Sequence, residues 1–289
     1  MCVIFACLHE RLFLNLMSRR WLAMYCAQML VGDISIEPVH DGTAVLATDL
    51  FVNSDWTDHQ HLLDSQGALT IPVGAFLVRN GDHLALLDAG VGDVHNDMFD
   101  GGKMLDSLRS LGAEPDQIDT IIVSHLHPDH MGWLAVDGDI TFTNATVHIG
   151  AADWAHFVDE GNGGRRIAAN LRSVEEHVEL VHDDGVALLP GMTTRMTPGH
   201  TPGHMSTVIS SGNERLIVLG DALHCPAQLT ELEWEFLYDV DAALARKTRA
   251  ALVEEASQPN TALLPCHFAG MQAARLVPVG DAAPQWVFS

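Results

Sequence analysis

Basic side chains are scarce in this sequence. The 289 residues include 15 lysines and arginines against 38 aspartates and glutamates, which gives a formal net charge of −23 at pH 7. A chain with this charge repels a phosphate backbone at long range, so a nucleic-acid substrate or partner is disfavoured. Most of the acidic side chains are expected to form a solvated surface.

Cysteine is also sparse and irregularly placed. The five cysteines are Cys2, Cys7, Cys26, Cys225 and Cys266, and no C-x-x-C pair occurs. An odd number without the spacing of a disulfide framework favours reduced thiols. The sequence therefore predicts a cytoplasmic protein with free cysteines.

The sequence has no apolar run long enough to cross a bilayer, so no membrane association is predicted. A short apolar stretch follows Arg19 and Arg20, which faintly resembles a secretory signal, but no small-residue cleavage site follows it. We interpret residues 1–30 as an N-terminal extension, either docked or poorly ordered, with export as the alternative.

No linker rich in proline, glycine or serine divides the chain, so residues 31–289 are predicted to form a single domain. An Asn-Gly pair at 80–81 between two apolar runs predicts a hairpin. Apolar patterns and turn residues predict strands at 75–78, 83–87, 120–125, 145–150, a hairpin within 206–223 and a last clear strand at 261–267, and helices over 104–112, 151–158, 165–180 and 241–257.

Histidine, in contrast, is abundant, with 17 residues. The segment H-L-H-P-D-H at 125–130 places three imidazoles and a carboxylate in six positions. Three further segments rich in potential metal ligands follow apolar runs or lie in glycine-rich loops, at 197–204, 218–224 and 263–268. Loops at strand ends are where a rigid scaffold holds reactive groups, so these segments predict a common site.

Imidazole and carboxylate donors together suit zinc, with manganese, iron or cobalt as alternatives. The cluster contains no cysteine, which argues against a purely structural zinc site. Cys266 is adjacent to His267, but the alternation of side chains along a strand predicts that it points to the opposite side.

The segment H-L-H-P-D-H matches the H-x-H-x-D-H signature of the metallo-β-lactamase superfamily, and the later segments follow in the same order. The resemblance covers roughly residues 70–270. It implies an α+β fold, an αββα sandwich whose metals lie at one edge between the sheets. The chain lacks the G-x-S-x-G motif of a serine nucleophile, which agrees with hydrolysis by metal.

The same resemblance implies two divalent ions, most simply zinc, with a hydroxide bridging them. Besides its implied role as a metal ligand, Asp129 is the candidate proton shuttle. His204 and Asp88 are expected to support the ligands. The implied ligands are His125, His127 and His200 for the first ion, Asp129, His130 and His267 for the second, and Asp221 as the bridge between both.

Asp221 indicates which branches of the superfamily the sequence resembles. True β-lactamases lack or replace this bridging carboxylate, whereas glyoxalase II, ribonuclease Z, N-acyl homoserine lactonases and methyl parathion hydrolase have it. The scarcity of basic residues disfavours ribonuclease Z and glyoxalase II. The resemblance therefore implies a hydrolase of small lactones or esters, lactonase-like or esterase-like, with phosphotriester hydrolysis as an alternative.

His224 departs from the lactonase pattern, because those enzymes usually carry at this position a tyrosine that binds the substrate carbonyl. We predict that His224 donates the same hydrogen bond and is catalytic; a structural role is the alternative. Two other functions stay open: a non-catalytic metal-binding descendant of the fold, and a mononuclear iron persulfide dioxygenase or glyoxalase II-like enzyme. Related hydrolases are often dimers, so a homodimer is also open.

Overall fold

The structure is a computed structural model, which describes residues 28–279 and 282–288. The predicted N-terminal extension thus lies outside the described residues except for its last three positions, of which Met29 and Leu30 already belong to the first strand. The prediction that residues 31–289 form a single domain stays a prediction.

Strands make up most of the regular structure. In chain order they are β1 Met29–Val31, β2 Ile34–Ala47, β3 Phe51–Val52, β4 Ala68–Asn80, β5 His83–Leu87, β6 Phe99–Asp100, β7 Thr120–Val123, β8 Ala135–Val136, β9 Asp139–Ile140, β10 Thr146–Gly150, β11 Val178–Val181, β12 Ala187–Leu189, β13 Met192–Met196, β14 Met205–Ser211, β15 Glu214–Val218, β16 Glu235–Phe236, β17 Thr261–Leu264, β18 Ala274–Val279 and β19 Ala282–Phe288.

Two large sheets contain most of these strands. One sheet has the order β1-β2-β4-β5-β7-β10-β11, with β6 paired to β2, and the other has the order β12-β13-β14-β15-β17-β18-β19. The predicted hairpin at Asn80-Gly81 joins β4 to β5 in antiparallel register. Parallel pairing of β5, β7 and β10 brings their carboxyl ends to one edge of the first sheet.

Helices cover the outer faces of both sheets. They are α1 Met104–Ser110, α2 Pro128–Met131, α3 Ala151–Asp153 continuing into a π-helical turn at Trp154–Asp159, α4 Gly164–Ser173 and α5 Ala242–Glu255. Within the described ranges, no helix is both long and apolar enough to span a bilayer.

Alternation along the strands divides the core into layers. On β4, Phe76 and Val78 pack with Ile209 and Leu216 of the second sheet, whereas Leu77 packs with the helices on the outer face. Ile217 of β15 faces outward against α5. Buried on both faces, the two sheets lie between helical layers, which is the predicted αββα sandwich of the metallo-β-lactamase type.

Two of the predicted elements are wrong. The helix predicted over 165–180 ends at Ser173, because residues 178–181 pair in parallel with β10 as strand β11. The strand at 261–264 is not the last, since β18 and β19 follow it. Pro278 and Pro284 argue against strands in the sequence, because proline has no N–H to donate within a sheet. In the structure, Pro278 coincides with a register shift, and Pro284 lies on the edge strand, where a missing N–H is tolerated.

Asp41, at a bulge in β2, ties together the loops beneath the edge that bears the histidines. Its side chain is fully buried and accepts hydrogen bonds from the backbone N–H groups of Val91, Gly92 and residues 102–104, and from the indole of Trp133. These six donors satisfy a buried carboxylate that would otherwise be strongly destabilising.

Candidate metal centre

The predicted cluster lies where β7 ends. His125 follows this strand by two residues, and Pro128 then begins the short helix α2, which carries Asp129 and His130. Proline is favoured at the first position of a helix, because its missing N–H has no intrahelical role there. The turn redirects the chain, so that His127 and His130 reach different parts of the same edge.

One set of donor atoms surrounds a point near His127. Its Nδ1 lies 3.0 Å from His125 Nε2 and 2.9 Å from His200 Nε2. Asp221 Oδ2 lies 3.8 Å from His125 Nε2 and 3.5 Å from His200 Nε2. The structure thus brings together the four residues that the sequence assigned to the first ion.

A second set lies on the other side of the same carboxylate. Asp221 Oδ1 is 2.9 Å from His267 Nε2 and 3.2 Å from His130 Nε2. Asp129 Oδ2 is 3.6 Å from both imidazole nitrogens. Asp221 therefore turns one oxygen toward each set, an arrangement that a bridging carboxylate can adopt.

The remaining ring nitrogens have partners that fix the orientation of the imidazoles. His130 Nδ1 donates to Asp88 Oδ2 over 2.9 Å and His200 Nδ1 donates to Asp239 Oδ1 over 2.8 Å. His267 Nδ1 donates to a backbone carbonyl over 2.9 Å. Because these acceptors can only receive a proton, each Nδ1 carries a hydrogen, and Nε2 is the ring atom that can offer a lone pair to a cation.

Burial favours the neutral form of most of these histidines. It lowers the pKa of His125 and His200 well below the usual value, and it lowers the pKa of His127 to about 3. Burial also acts on His130, but the charges of Asp221 and Asp129 outweigh it and raise the pKa of that imidazole well above the usual value.

The donor set fits divalent metal ions. Four donors bound to one tetrahedral zinc ion lie roughly 3.4 Å apart, and the donor distances given above scatter around that separation. His130 Nε2 is fully buried and has no hydrogen-bond partner among the described residues. A buried nitrogen without a partner, aimed at carboxylates and imidazoles, is what a cation would satisfy.

His204 and Asp88 each form a hydrogen bond with a residue of the donor cluster. The backbone N–H of Asp221 donates to His204 Nε2 over 3.0 Å, so this nitrogen is occupied and is turned away from ligation. Asp88 accepts from the backbone N–H of Ser124 in addition to His130. Both residues thus fix the positions of candidate metal ligands through hydrogen bonds.

His224 lies beside Asp221 at the wall of a cavity. Its Nε2 is 3.4 Å from Asp221 Oδ2, and its ring stacks on Phe236 with 3.8 Å between centroids. Both ring nitrogens are buried without a hydrogen-bond partner in the part of the chain that the structure describes. This environment leaves at least one N–H available to a molecule in the cavity.

The cavity has a volume of about 230 Å³ and opens onto the donor cluster. The lining is mainly apolar, and the polar side chains in it are those of His127, Asp129, Asp221, His224, Tyr238 and His267. The apolar side chains that line it are Ala44, Leu46, Ile71, Met98, Phe99, Pro128 and Phe236. Leu229 and Trp234, which follow His224 in the sequence, do not line the cavity and belong to the packed core.

The predicted direction of Cys266 is wrong. Its Sγ lies 3.5 Å from Asp221 Oδ1 and groups with His130, Asp221 and His267. Strand β17 ends at Leu264, so the alternation assumed for Cys266 no longer applies after Pro265.

Several supporting residues were not visible in the sequence. Asp153 accepts from the backbone N–H groups of Leu126 and Gly203 and thereby joins the loop of His125 and His127 to the loop of His200. Asp239 accepts from His200 and from the backbone of Phe236. Both carboxylates lie far in sequence from the histidine-bearing loops that they contact, and only their burial after folding distinguishes them from surface acids.

An αββα sandwich with two adjoining sets of histidine and aspartate donors at one edge defines a class of metal-centre proteins. Comparison with known families agrees, because residues 71–267 match the model of the metallo-beta-lactamase superfamily. The chain belongs to this superfamily.

Several similar proteins are N-acyl homoserine lactonases. One from Bacillus cereus is 30% identical over 169 residues, which is 52% of this chain and 63% of the relative. The lactonase AttM of Agrobacterium fabrum is 26% identical over 170 residues, covering 52% of this chain and 61% of the relative. The alignments thus span less than two thirds of these lactonases.

Solved structures extend the similarity over more of the chain. The hydrolase AbOPH of the β-lactamase superfamily is 26% identical, with a TM-score of 0.73, covering 90% of this chain and 96% of that one. The dizinc quorum-quenching lactonase AidC, solved with a product, is 21% identical, with a TM-score of 0.76 and the same coverage. At this level of identity, the likeness to AidC concerns the fold.

Proposed function

We propose that this protein is a metal-dependent hydrolase that cleaves lactone or ester bonds in small molecules. The observation that carries the proposal is the position of Asp221, whose two oxygens face two separate sets of metal-ligand atoms. The similarity to N-acyl homoserine lactonases supports a lactone as the substrate class. Phosphotriesters and aryl esters are secondary candidates, since other branches with the same bridging carboxylate hydrolyse them.

Each predicted ligand then has a defined task. His125, His127 and His200 would hold the first ion, Asp129, His130 and His267 would hold the second, and Asp221 would contribute to both. When bound, two divalent ions, zinc by preference, supply a hydroxide at neutral pH and polarise the carbonyl oxygen of the substrate. The negative charges of Asp129 and Asp221 would offset the positive charge of the ions in this buried cluster of imidazoles.

Two residues act on the substrate directly in this proposal. Asp129 is among the residues that line the cavity, with 12% of its side chain exposed, so it can accept a proton and pass it to the leaving oxygen. An N–H of His224 points to the substrate carbonyl and stabilises the negative charge that develops on its oxygen. The apolar wall of the cavity receives the acyl substituent.

A substrate panel tests the proposal. We expect purified protein loaded with zinc or manganese to bind about two ions per chain and to open N-acyl homoserine lactones faster than aryl esters, phosphotriesters or a cephalosporin. Removal of metal by a chelator is expected to abolish turnover, and added metal to restore it. Metal content by elemental analysis and product formation by chromatography provide the measurements.

Other outcomes of the panel identify the competing functions. A single tightly bound iron with oxygen consumption in the presence of persulfides indicates a dioxygenase. Bound metal without turnover of any ester, lactone or phosphotriester indicates a non-catalytic descendant of the fold. Either result rules out the proposed hydrolase.

Substitution of His224 tests its contact with the substrate. We expect His224→Phe to lower kcat roughly 100-fold or more while the two-ion stoichiometry is kept, because the ring loses its N–H but retains its stack on Phe236. His224→Tyr is the matched control, since it differs from the Phe variant by one hydroxyl donor, and it should recover part of the lost kcat. Unchanged turnover in both variants would assign His224 a structural role.

We also propose a cytoplasmic location, because Cys225 and Cys266 are both buried as free thiols. A single domain over residues 31–289 and a homodimer complete the proposal. Sedimentation of the purified chain measures the oligomeric state.

A further inference from the structure

The thiol of Cys266 lies within the second set of donor atoms. Its Sγ is 3.5 Å from Asp221 Oδ1, and donor atoms of His130, Asp221, Cys266 and His267 all lie within 4.8 Å of one another. A sulfur bound at about 2.3 Å and an oxygen bound at about 2.1 Å on one five-coordinate ion lie roughly 3.1–3.8 Å apart at bond angles of about 90–120°. The separation of Sγ from Asp221 therefore suits a shared ion.

A second observation points to a ligand at the same place. His130 Nε2 is buried, lies 3.2 Å from Asp221 Oδ1 and has no hydrogen-bond partner within the described part of the chain. The nitrogen thus faces the same oxygen as the thiol does. A cation between them satisfies the nitrogen, the oxygen and the sulfur together.

We propose that Cys266 is a sulfur donor to the ion held by His130 and His267 and that it sets the metal preference of this position. The inference rests on the proposed function, because it requires the two-ion centre. Formation of the metal–sulfur bond breaks the S–H bond and releases the proton to solvent, with no change in oxidation state. Sulfur is a soft donor, so the position should favour cadmium, zinc or cobalt over manganese.

The thiol has a weaker alternative role as a hydrogen-bond donor. Sγ is also 3.4 Å from the carbonyl oxygen of Gly220, so an S–H group can donate there or to Asp221. A serine at the same position reproduces this donor with a hard oxygen. Replacement by serine therefore separates hydrogen bonding from ligation by sulfur.

Cobalt substitution of the full chain tests the proposal. In a background carrying Cys2→Ser, Cys7→Ser and Cys26→Ser, we expect the cobalt-loaded protein to show a sulfur-to-cobalt charge-transfer band in the near ultraviolet. The band should disappear in Cys266→Ser and Cys266→Ala. It should persist in Cys225→Ser, the matched control, because that buried thiol belongs to the apolar core beside the cavity.

Metal affinity provides the second readout. Cys266→Ser should weaken cadmium binding at one of the two positions by about tenfold or more and change manganese binding by less than about threefold. Two bound cobalt ions and active hydrolysis without a charge-transfer band would overturn the sulfur ligand while leaving the hydrolase intact. Failure to bind any cobalt would overturn the metal centre and the sulfur ligand together.

Discussion

Asp221→Ala is expected to lose hydrolytic activity by at least roughly 10³-fold, equivalent to about 4 kcal/mol of transition-state stabilisation, together with one of the two bound ions. The reason is geometric: Oδ1 faces His130 and His267, and Oδ2 faces His125 and His200. Removal of this side chain takes one donor from each set, because Asp221 belongs to both groups of donors found among the described residues. Metal content and kcat/KM on the best lactone of the panel measure the effect.

The fold should survive this substitution. The backbone N–H of Asp221 donates to His204, and the guanidinium of Arg249 donates to the carbonyl oxygen of Ala222, so the loop is anchored without the carboxylate. Asp116→Ala is the control: this exposed residue precedes β7 at the end remote from the site, and its loss should leave both metal content and turnover unchanged. Full activity of Asp221→Ala would falsify the bridging role.

Asp41→Ala should lower the free energy of unfolding by about 3–5 kcal/mol, because the substitution leaves buried N–H donors without an acceptor. The carboxylate accepts from two loops, at 91–92 and 102–104, and from the indole of Trp133. These loops pack beneath α2, since Gly132 N–H donates to the carbonyl of Gly90 over 2.7 Å. Urea denaturation followed by circular dichroism measures the loss.

Two further variants keep this prediction testable if the alanine variant fails to fold. Asp41→Asn preserves the shape but presents an NH₂ group to N–H donors, so it should also be destabilised, by a smaller amount. Asp49→Ala removes an exposed acid from the turn that follows β2 and should change the stability by no more than about 0.5 kcal/mol. Equal stability of Asp41→Asn, Asp49→Ala and the parent protein would contradict the role of Asp41.

Local patterns in the sequence were informative where the chemistry is local. The Asn-Gly pair predicted the β4–β5 hairpin, and the apolar run at 120–123 predicted the strand that delivers His125. The H-L-H-P-D-H segment identified the fold through the superfamily that it resembles, and comparison with known families confirmed that assignment. Such signals lie within a few residues of one another, so they can be read before the chain folds.

Patterns were misleading where distant partners decided the outcome. Residues 178–181 have helical spacing in the sequence, but parallel pairing with β10 makes them a strand. Cys266 was placed on the far side by strand alternation, but β17 ends too early for that rule to hold. In both cases tertiary contacts outweighed a weak local preference.

The sequence by itself determined the types of candidate ligand, their order and the superfamily, because these depend on residue identity and short spacing. Only the tertiary structure decided that Asp221 turns one oxygen to each donor set, that Cys266 joins the second set and that Asp41, Asp153 and Asp239 support the site. The sequence contains 38 aspartates and glutamates, and residue type alone does not distinguish the buried carboxylates from the exposed ones. Their roles are set by burial and by donors that arrive from distant parts of the chain, and those exist only after folding.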